Sequence, residues 1–236
     1  MKNTDVQIEL VQRFFAGTGN SYDHMVHVAT LGIDRLWKRR IVDLIPRNAK
    51  RILDLACGTG ISTLAIAARF PHSEIVGVEL REEYLAVARE KIERLKIKNV
   101  SLVLSRAEDY LPNARFDCVT SSYLAKYADL GVLTRNTQQL LNPQGLMLMH
   151  DFTFPPNAML AGVWRMYFKA MQSLCPTFFP AWREIYFGLP SVIENSRWLT
   201  ELTSAANKND FRDVTMEYLT VYGSAIITAR KPRNGG

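Results

Sequence analysis

The stretch "RILDLACGTGISTLAIA", residues 51–67, joins one apolar run to another through an acid, a cysteine and two glycines set two apart. Residues 51–56 read as a strand buried on both faces, because a short β-branched and aliphatic run leaves no polar side for water. Residues 61–70 return their apolar side chains at helical spacing. Between them, Gly58-Thr59-Gly60 offers backbone without Cβ atoms, which suits a tight turn and lets a ligand approach the chain closely. A strand, a glycine turn and a helix in that order begin a βαβ unit.

Working outward, the same alternation continues along the chain. Strands are predicted at 51–56, 74–79, 100–104, 116–121 and 145–152, and two more at "DVTMEYL" and "SAIITAR". Helices are predicted at 61–70, at 82–96, where acids lead and bases follow as the helix dipole favours, and at about 129–141. The last two strands are close enough to form a hairpin, so one of them runs against the others. Two helices, about 5–16 and 30–45, are expected before Arg51. The aromatic segment 155–189 fits no βαβ unit and is too short for a core of its own, so it reads as a helical insertion. The fold class is therefore α/β: one domain with a seven-stranded, mostly parallel sheet and helices on both faces. Its parts are an N-terminal helical cap (1–48), a ligand-binding core (49–154), the insertion (155–189), and a C-terminal helix with the hairpin (190–232).

Composition narrows the class. Of 236 residues, 47% are hydrophobic and 22% charged, ordinary values for a soluble globular chain. Three cysteines, Cys57, Cys118 and Cys175, share no CxxC spacing, which points to a reducing compartment, the cytoplasm, and to no metal site. No apolar run approaches the roughly 18 residues of a membrane span. The net charge of +6 is modest and is densest at "WKRR", residues 37–40. That cluster reads as a solvated helix face, with contact to an anionic membrane surface as the alternative and no nucleic-acid role.

The turn also selects its ligand. Glu79 ends the second predicted strand about 20 residues after the glycines, where an acid accepts hydrogen bonds from a ribose diol. The third glycine of a dinucleotide loop is missing, its place taken by Thr63, and Asp54 beside the turn would repel a pyrophosphate. The same acid suits a ligand carrying positive charge, such as S-adenosylmethionine. Glu108-Asp109, after the third strand, reads equally as an adenine contact and as a pair of helix-start acids. A nicotinamide-dependent oxidoreductase and a non-catalytic cofactor-binding partner subunit remain as alternatives from other classes.

"LDLACGTG", Glu79 and "FDCVTSSY" together resemble the class I S-adenosylmethionine-dependent methyltransferases, whose sheet is Rossmann-like. "YDHMVHVATLGIDRLWKRRIVDLI" (22–45) and "HDFTFPPNAMLAGVWRMYF" (150–168) resemble more narrowly the quinone-biosynthesis C-methyltransferases, the family of demethylmenaquinone and polyprenyl-benzoquinol methyltransferases. The resemblance implies that S-adenosylmethionine lies along Asp54, Ala56, Gly58, Thr59, Gly60, Glu79 and Leu80, with Ala107, Glu108, Ser121 and Ser122 beside it. It implies a lipophilic quinol or related aromatic under the N-terminal helices and the insertion, with Tyr22, Trp37, Trp164 and Tyr167 lining its pocket. A small-molecule O- or N-methyltransferase is the alternative within the class. Contact with a membrane surface and a homodimer are left open as expectations.

Methylating a ring carbon requires that a neighbouring hydroxyl lose its proton, so a base or a phenolate-stabilising cation belongs near the acceptor. Tyr123, Lys126, His150 and Asp151, at the ends of the fourth and fifth strands, are the candidates. Lys126 and Tyr127 stand where the family carries arginine and asparagine. A solvated surface lysine is the other reading of Lys126, a turn cap that of Asp151, and a satisfied strand-end histidine that of His150.

Overall fold

The computed structural model describes residues 3–233. Strand β1 (Arg51–Leu55) lies inside a sheet covered by helices on both faces, which is why it is apolar on both sides. Parallel to it run β2 (Glu74–Glu79) and β4 (Phe116–Ser122), with β3 (Val100–Leu104) beyond β2. On the other side β4 pairs with β5 (Leu141–Phe152), followed by β7 (Ser224–Arg230) and β6 (Arg212–Leu219). The order β3-β2-β1-β4-β5-β7-β6 has β7 antiparallel to both neighbours, as the hairpin expectation requires. The order in which strands are added reverses between the parallel strands β1 and β4, and in open sheets of this kind the ligand crevice forms beyond the carboxyl ends at that point.

Strand alternation then decides which face each side chain takes. On one face Leu53, Leu55, Met147 and Met149 pack with α6 (Leu130–Leu140) and α9 (Trp198–Lys208). On the other Ile52, Ile75, Leu146 and Leu148 meet Ile41 and Val42 of α3 (Asp34–Leu44) and Ile66 of α4 (Ile61–Arg69). α5 (Glu82–Arg94) follows β2.

Before the sheet, α1 (Asn3–Phe15) and α2 (Tyr22–Ala29) precede α3. The helix expected at 30–45 thus begins at Asp34. Leu31 and Gly32 take left-handed φ of 53° and 76°, a conformation that ends a helix and separates α2 from α3. The segment after β5 forms α7 (Ala158–Phe178) and α8 (Arg183–Asn195), so the insertion runs past residue 189. Gly188-Leu189-Pro190 reads as a stop, yet the helix continues because Ile185, Tyr186 and Ile193 along it are buried.

The two helical groups close on each other: Phe14 and Met25 share a core with Cys175, Trp182, Ile185 and Tyr186. Gly188 lies against the fully buried Phe14 ring, and a Cβ there would overlap it. Alanine improves helix propensity by at most about 1 kcal/mol, whereas overpacking costs about 1–3 kcal/mol. Gly188→Ala should therefore lower the melting temperature and expose α1 to limited proteolysis, and adding Phe14→Leu should restore both.

Candidate active site

The loop from Leu55 to Ile61 turns on three residues with positive φ, Ala56 (53°), Gly58 (58°) and Gly60 (85°). Gly58 borders an open cavity, where an added Cβ would touch only Tyr84, at 3.7 Å. Gly60 has a different use, since its bare α-carbon packs against Ala88 of α5 at 3.3 Å and does not line the cavity. Thr59 turns its hydroxyl to Asp23 of α2 at 2.5 Å.

Asp54, expected beside the ligand, is not on the wall of the cavity that Gly58 borders. Alternation aims it at the α3 and α4 face, where it is 1% exposed and accepts a hydrogen bond from Thr63 at 2.6 Å. Burial raises its carboxyl to about 6. The Asp54–Thr63 pair stands where a dinucleotide loop would need its third glycine.

Glu79 ends β2 in the cavity wall. Its Oε2 accepts from the Gly58 N–H and its Oε1 from the Arg81 N–H, each at 3.0 Å, so the glycine loop and the acid are tied together. Burial pushes this carboxyl up while the backbone donors pull it down. The cavity, about 840 Å³ including its mouth, continues past Leu80, Ala107 and Glu108 and is roofed by Ile8, Val11 and Phe15 of α1. Glu108 also accepts from the Asp129 N–H at 3.2 Å, whereas the Asp109 carboxylate is exposed and lies 3.5 Å from Arg106. Ser122 faces the cavity. Ser121 does not: it lies on the α6 and α9 side and donates to Met149 Sδ.

A second cavity, about 730 Å³ and almost wholly apolar, lies between α2, α7 and α8. The two cavities share Phe15, Tyr22, Tyr123 and Tyr127, so one aromatic wall faces both. Phe15 meets Tyr22 and Tyr127 edge-on at 6.3 and 6.2 Å. The Tyr123 and Tyr127 hydroxyls are buried and have no hydrogen-bond partner within the protein. Tyr167 lines the apolar cavity and donates to the Ala29 carbonyl. Trp164 stands one layer out, tilted against Phe168 with ring centres 4.3 Å apart. Trp37 also lies behind the wall, packed on His150 and Phe152, with its indole N–H on Thr220.

The loop after β4 is held by an ion pair. Lys126 Nζ donates to Asp151 Oδ1 at 2.6 Å and to the Tyr123 carbonyl at 3.0 Å, and both side chains are within 2% of full burial. Lys126 is therefore no surface residue. Asp151 also accepts from the Lys126 and Phe152 N–H groups, which leaves it capping and pairing rather than free. The loop carries Tyr123 at φ 68°, stacked on Phe152 at 4.6 Å.

Sequence reasoning missed Lys38. The "WKRR" run, read as a solvated basic face, divides: Trp37 and Lys38 are buried, and Arg40 pairs with Glu217 through two nitrogens. Lys38 Nζ reaches Ser122 Oγ at 2.5 Å, and Ser122 Oγ lies 2.7 Å from His150 Nδ1. Burial lowers the Lys38 ammonium to about 8. Burial, with Lys38 and Lys126 nearby, holds the His150 imidazole well below its ordinary value, hence neutral, and its Nε2 is buried without a partner. An apolar-periodic helix whose face included one lysine was the available signal. Also missed was the latch of the N-terminal segment: Glu83 accepts from the Gly17 and Gly19 N–H groups, and Asp23 holds Lys91 at 2.5 Å. Among the described residues no group of three or more His, Cys, Asp or Glu side chains is placed to hold a metal ion.

A Rossmann-like sheet, a glycine turn tied to an acid at the end of β2, and a roofed nucleoside-sized cavity define the class I S-adenosylmethionine-dependent methyltransferases, and the protein is one of them. The chain belongs to the ubiE/COQ5 methyltransferase family, whose model matches residues 2–231. It is 33% identical to the demethylmenaquinone methyltransferase of Thermus thermophilus over 66% of this chain and 71% of that one. It is 31% identical to the ubiquinone/menaquinone biosynthesis C-methyltransferase UbiE of Shewanella frigidimarina, over 72% of this chain and 70% of the relative. Among solved structures, the S-adenosylmethionine-dependent methyltransferase SibL in its apo form superposes with a TM-score of 0.65 at 16% identity, covering 98% of this chain and 70% of that one. The chain spans about half the length of three other solved methyltransferase chains it matches.

Removing one partner of the buried pair leaves the other charge uncompensated. Lys126→Met should cost about 3–5 kcal/mol in urea unfolding, and Lys126→Met with Asp151→Asn should recover part of that loss, because no buried charge is left unpaired, although the amide oxygen replaces only one of the two oxygens that accept from the Lys126 and Phe152 N–H groups. Equal instability of the single and double variants would contradict the pairing.

Proposed function

We propose that the protein methylates a ring carbon of a lipophilic quinol or a closely related aromatic. The observation that carries the reading is the aromatic wall, which faces a nucleoside-sized cavity on one side and an apolar cavity on the other. Relatives named for demethylmenaquinone and for ubiquinone/menaquinone biosynthesis support the acceptor class.

The residues present fit S-adenosylmethionine. Glu79 retains acceptor capacity for a diol, Gly58 leaves the loop bare, and Ala107 and Glu108 border the far end of the cavity. S-adenosylmethionine supplies an electrophilic methyl group on a sulfonium sulfur. The chain's own work is to orient the acceptor and exclude water. Phe15, Tyr22, Tyr123 and Tyr127 dry the junction. The unpartnered Tyr123 and Tyr127 hydroxyls are available to the acceptor's oxygens. Lys126, held charged by Asp151, places a fixed cation on the apolar cavity's wall, where it favours a phenolate.

The reading also places the enzyme at the cytoplasmic face of a membrane. No helix among the described residues is long and apolar enough to cross one. However, α7 presents Met159, Val163, Met166, Leu174 and Phe178 to solvent, while its Tyr167, Phe168 and Met171 line the apolar cavity. That stripe, and no longer the "WKRR" run, supports surface contact.

Two outcomes are expected. Glu79→Ala should weaken S-adenosylmethionine binding, measured by calorimetry, by about 1.5–3 kcal/mol, the scale of hydrogen bonds to a charged group. Unchanged affinity would refute the assignment of the diol to Glu79. In flotation with liposomes, Val163→Asp with Met166→Asp should release the protein, and wild-type binding should persist at high salt because the contact is apolar. Binding that vanishes with salt would instead require a basic patch.

A further inference from the structure

A third, smaller cavity of about 320 Å³ lies where the other two meet. It shares Ala56, Gly58 and Ser122 with the cofactor cavity, Val26 with the apolar cavity, and Tyr22 and Tyr123 with both. Among the described residues Lys38 is the only amine on its wall. We propose that Lys38 is the general base of the methyl transfer, a catalytic residue that takes the acceptor's hydroxyl proton at this junction; the proposal rests on the quinol reading above.

Geometry separates Lys38 from the other basic candidates. Lys126 has its ammonium committed to Asp151 and to the Tyr123 carbonyl. Asp151 already accepts from three donors. His150 is fully buried behind Ser122 and Trp37 and reaches the cavities only through Ser122. Lys38 has Ser122 Oγ as its one hydrogen-bond partner among the described residues, lies 4.2 Å from the centre of the Tyr123 ring, and forms no ion pair. The charged groups facing it are Asp34 on its own helix, Asp54 on β1, and Asp151 on β5, which favour its ammonium, and Lys126, which opposes it. Burial outweighs them and brings the amine to about 8, where a useful fraction is unprotonated near neutral pH.

The acceptor O–H bond breaks and its proton goes to the lone pair of Lys38 Nζ. The ring carbon then bonds to the methyl group while the methyl–sulfur bond breaks, leaving its electron pair on a neutral thioether sulfur. The ring gives up the C–H proton to water as aromaticity returns, and Lys38 reprotonates the oxygen, so one proton is released per methyl transferred.

Ser122 makes the protonation state of Lys38 visible at His150. When Lys38 is an ammonium it donates to Ser122 Oγ, the Ser122 hydroxyl donates to Nδ1, and the imidazole carries its proton on Nε2. When Lys38 is a neutral amine it accepts from Ser122, which in turn accepts from an Nδ1–H. Nitrogen-15 NMR of the enzyme without added ligand should therefore show a neutral His150 that changes tautomer with a midpoint near pH 8, and Lys38→Met should abolish the change.

Turnover of a prenylated demethylquinol, followed as radiolabelled methyl incorporation, supplies the second readout. Wild-type kcat/KM should rise through about pH 8 to a plateau, since the base works only when unprotonated. Lys38→Arg, which keeps the charge but cannot lose its proton, should reduce kcat by at least about 100-fold and remove the limb, with S-adenosylmethionine affinity within about threefold of wild type. Lys38→Arg turnover within tenfold of wild type, an unchanged pH limb, or an imidazole tautomer insensitive to pH would overturn the assignment. A wild-type enzyme that methylates no phenolic acceptor at all, while still binding the cofactor, would overturn the acceptor reading and the base with it.

Discussion

A buried ammonium that has lost its water must find a carboxylate or give up its proton readily, and the pairing of Lys126 with Asp151 answers that demand in the first way at the centre of the molecule. Each ion would cost several kcal/mol alone in the interior, and the pair is tolerable only because both are also hydrogen-bonded to backbone. Satisfying it fixes the loop from Tyr123 to Tyr127 against the end of β5. The loop in turn holds Tyr123 in a left-handed conformation that a bulky residue adopts only when its surroundings impose it. The aromatic wall between the cavities is thus a consequence of charge burial.

The N-terminal helices complete the wall from the other side, and they hold the core through aromatic contacts of Phe15 and Tyr22 with Tyr84 and through polar ones. Glu83 and Asp23 bind backbone N–H groups, Thr59 and Lys91, so the segment that roofs the cofactor cavity is latched to the glycine loop and to α5. The apolar contacts of α1 and α2 are made mainly with the insertion, through Phe14, Met25 and Trp182. The helices that roof the larger cavity therefore also bound the apolar one.

The sheet was legible because each strand of a covered parallel sheet is a short apolar run bounded by turn residues, and all seven appear near their expected positions. The glycine loop and Glu79 were legible by spacing. What escaped was side-chain direction. Asp54 and Ser121 belong to the right strands but alternate away from the cavity, and Gly60 is bare for the sake of Ala88. Lys38 escaped for the opposite reason, and Lys126, although named as a candidate, kept a solvated alternative: a lysine in a linear sequence reads as solvated, and only the three-dimensional convergence of α3, β4 and β5 buries them. The breaks at Leu31 and Gly32, and the helix that runs through Pro190, depend on the packing of the two helical groups, which no local pattern encodes.

The most direct measurement of the central claim, that one aromatic wall divides donor from acceptor, is a crystal structure of the protein with S-adenosylhomocysteine bound. The account predicts ribose density against Glu79 and the sulfur directed at Tyr22 and Tyr123, opposite the apolar cavity. A product whose sulfur points to solvent, or a cavity wall reorganised so that Tyr123 and Tyr127 no longer separate the two spaces, would contradict it.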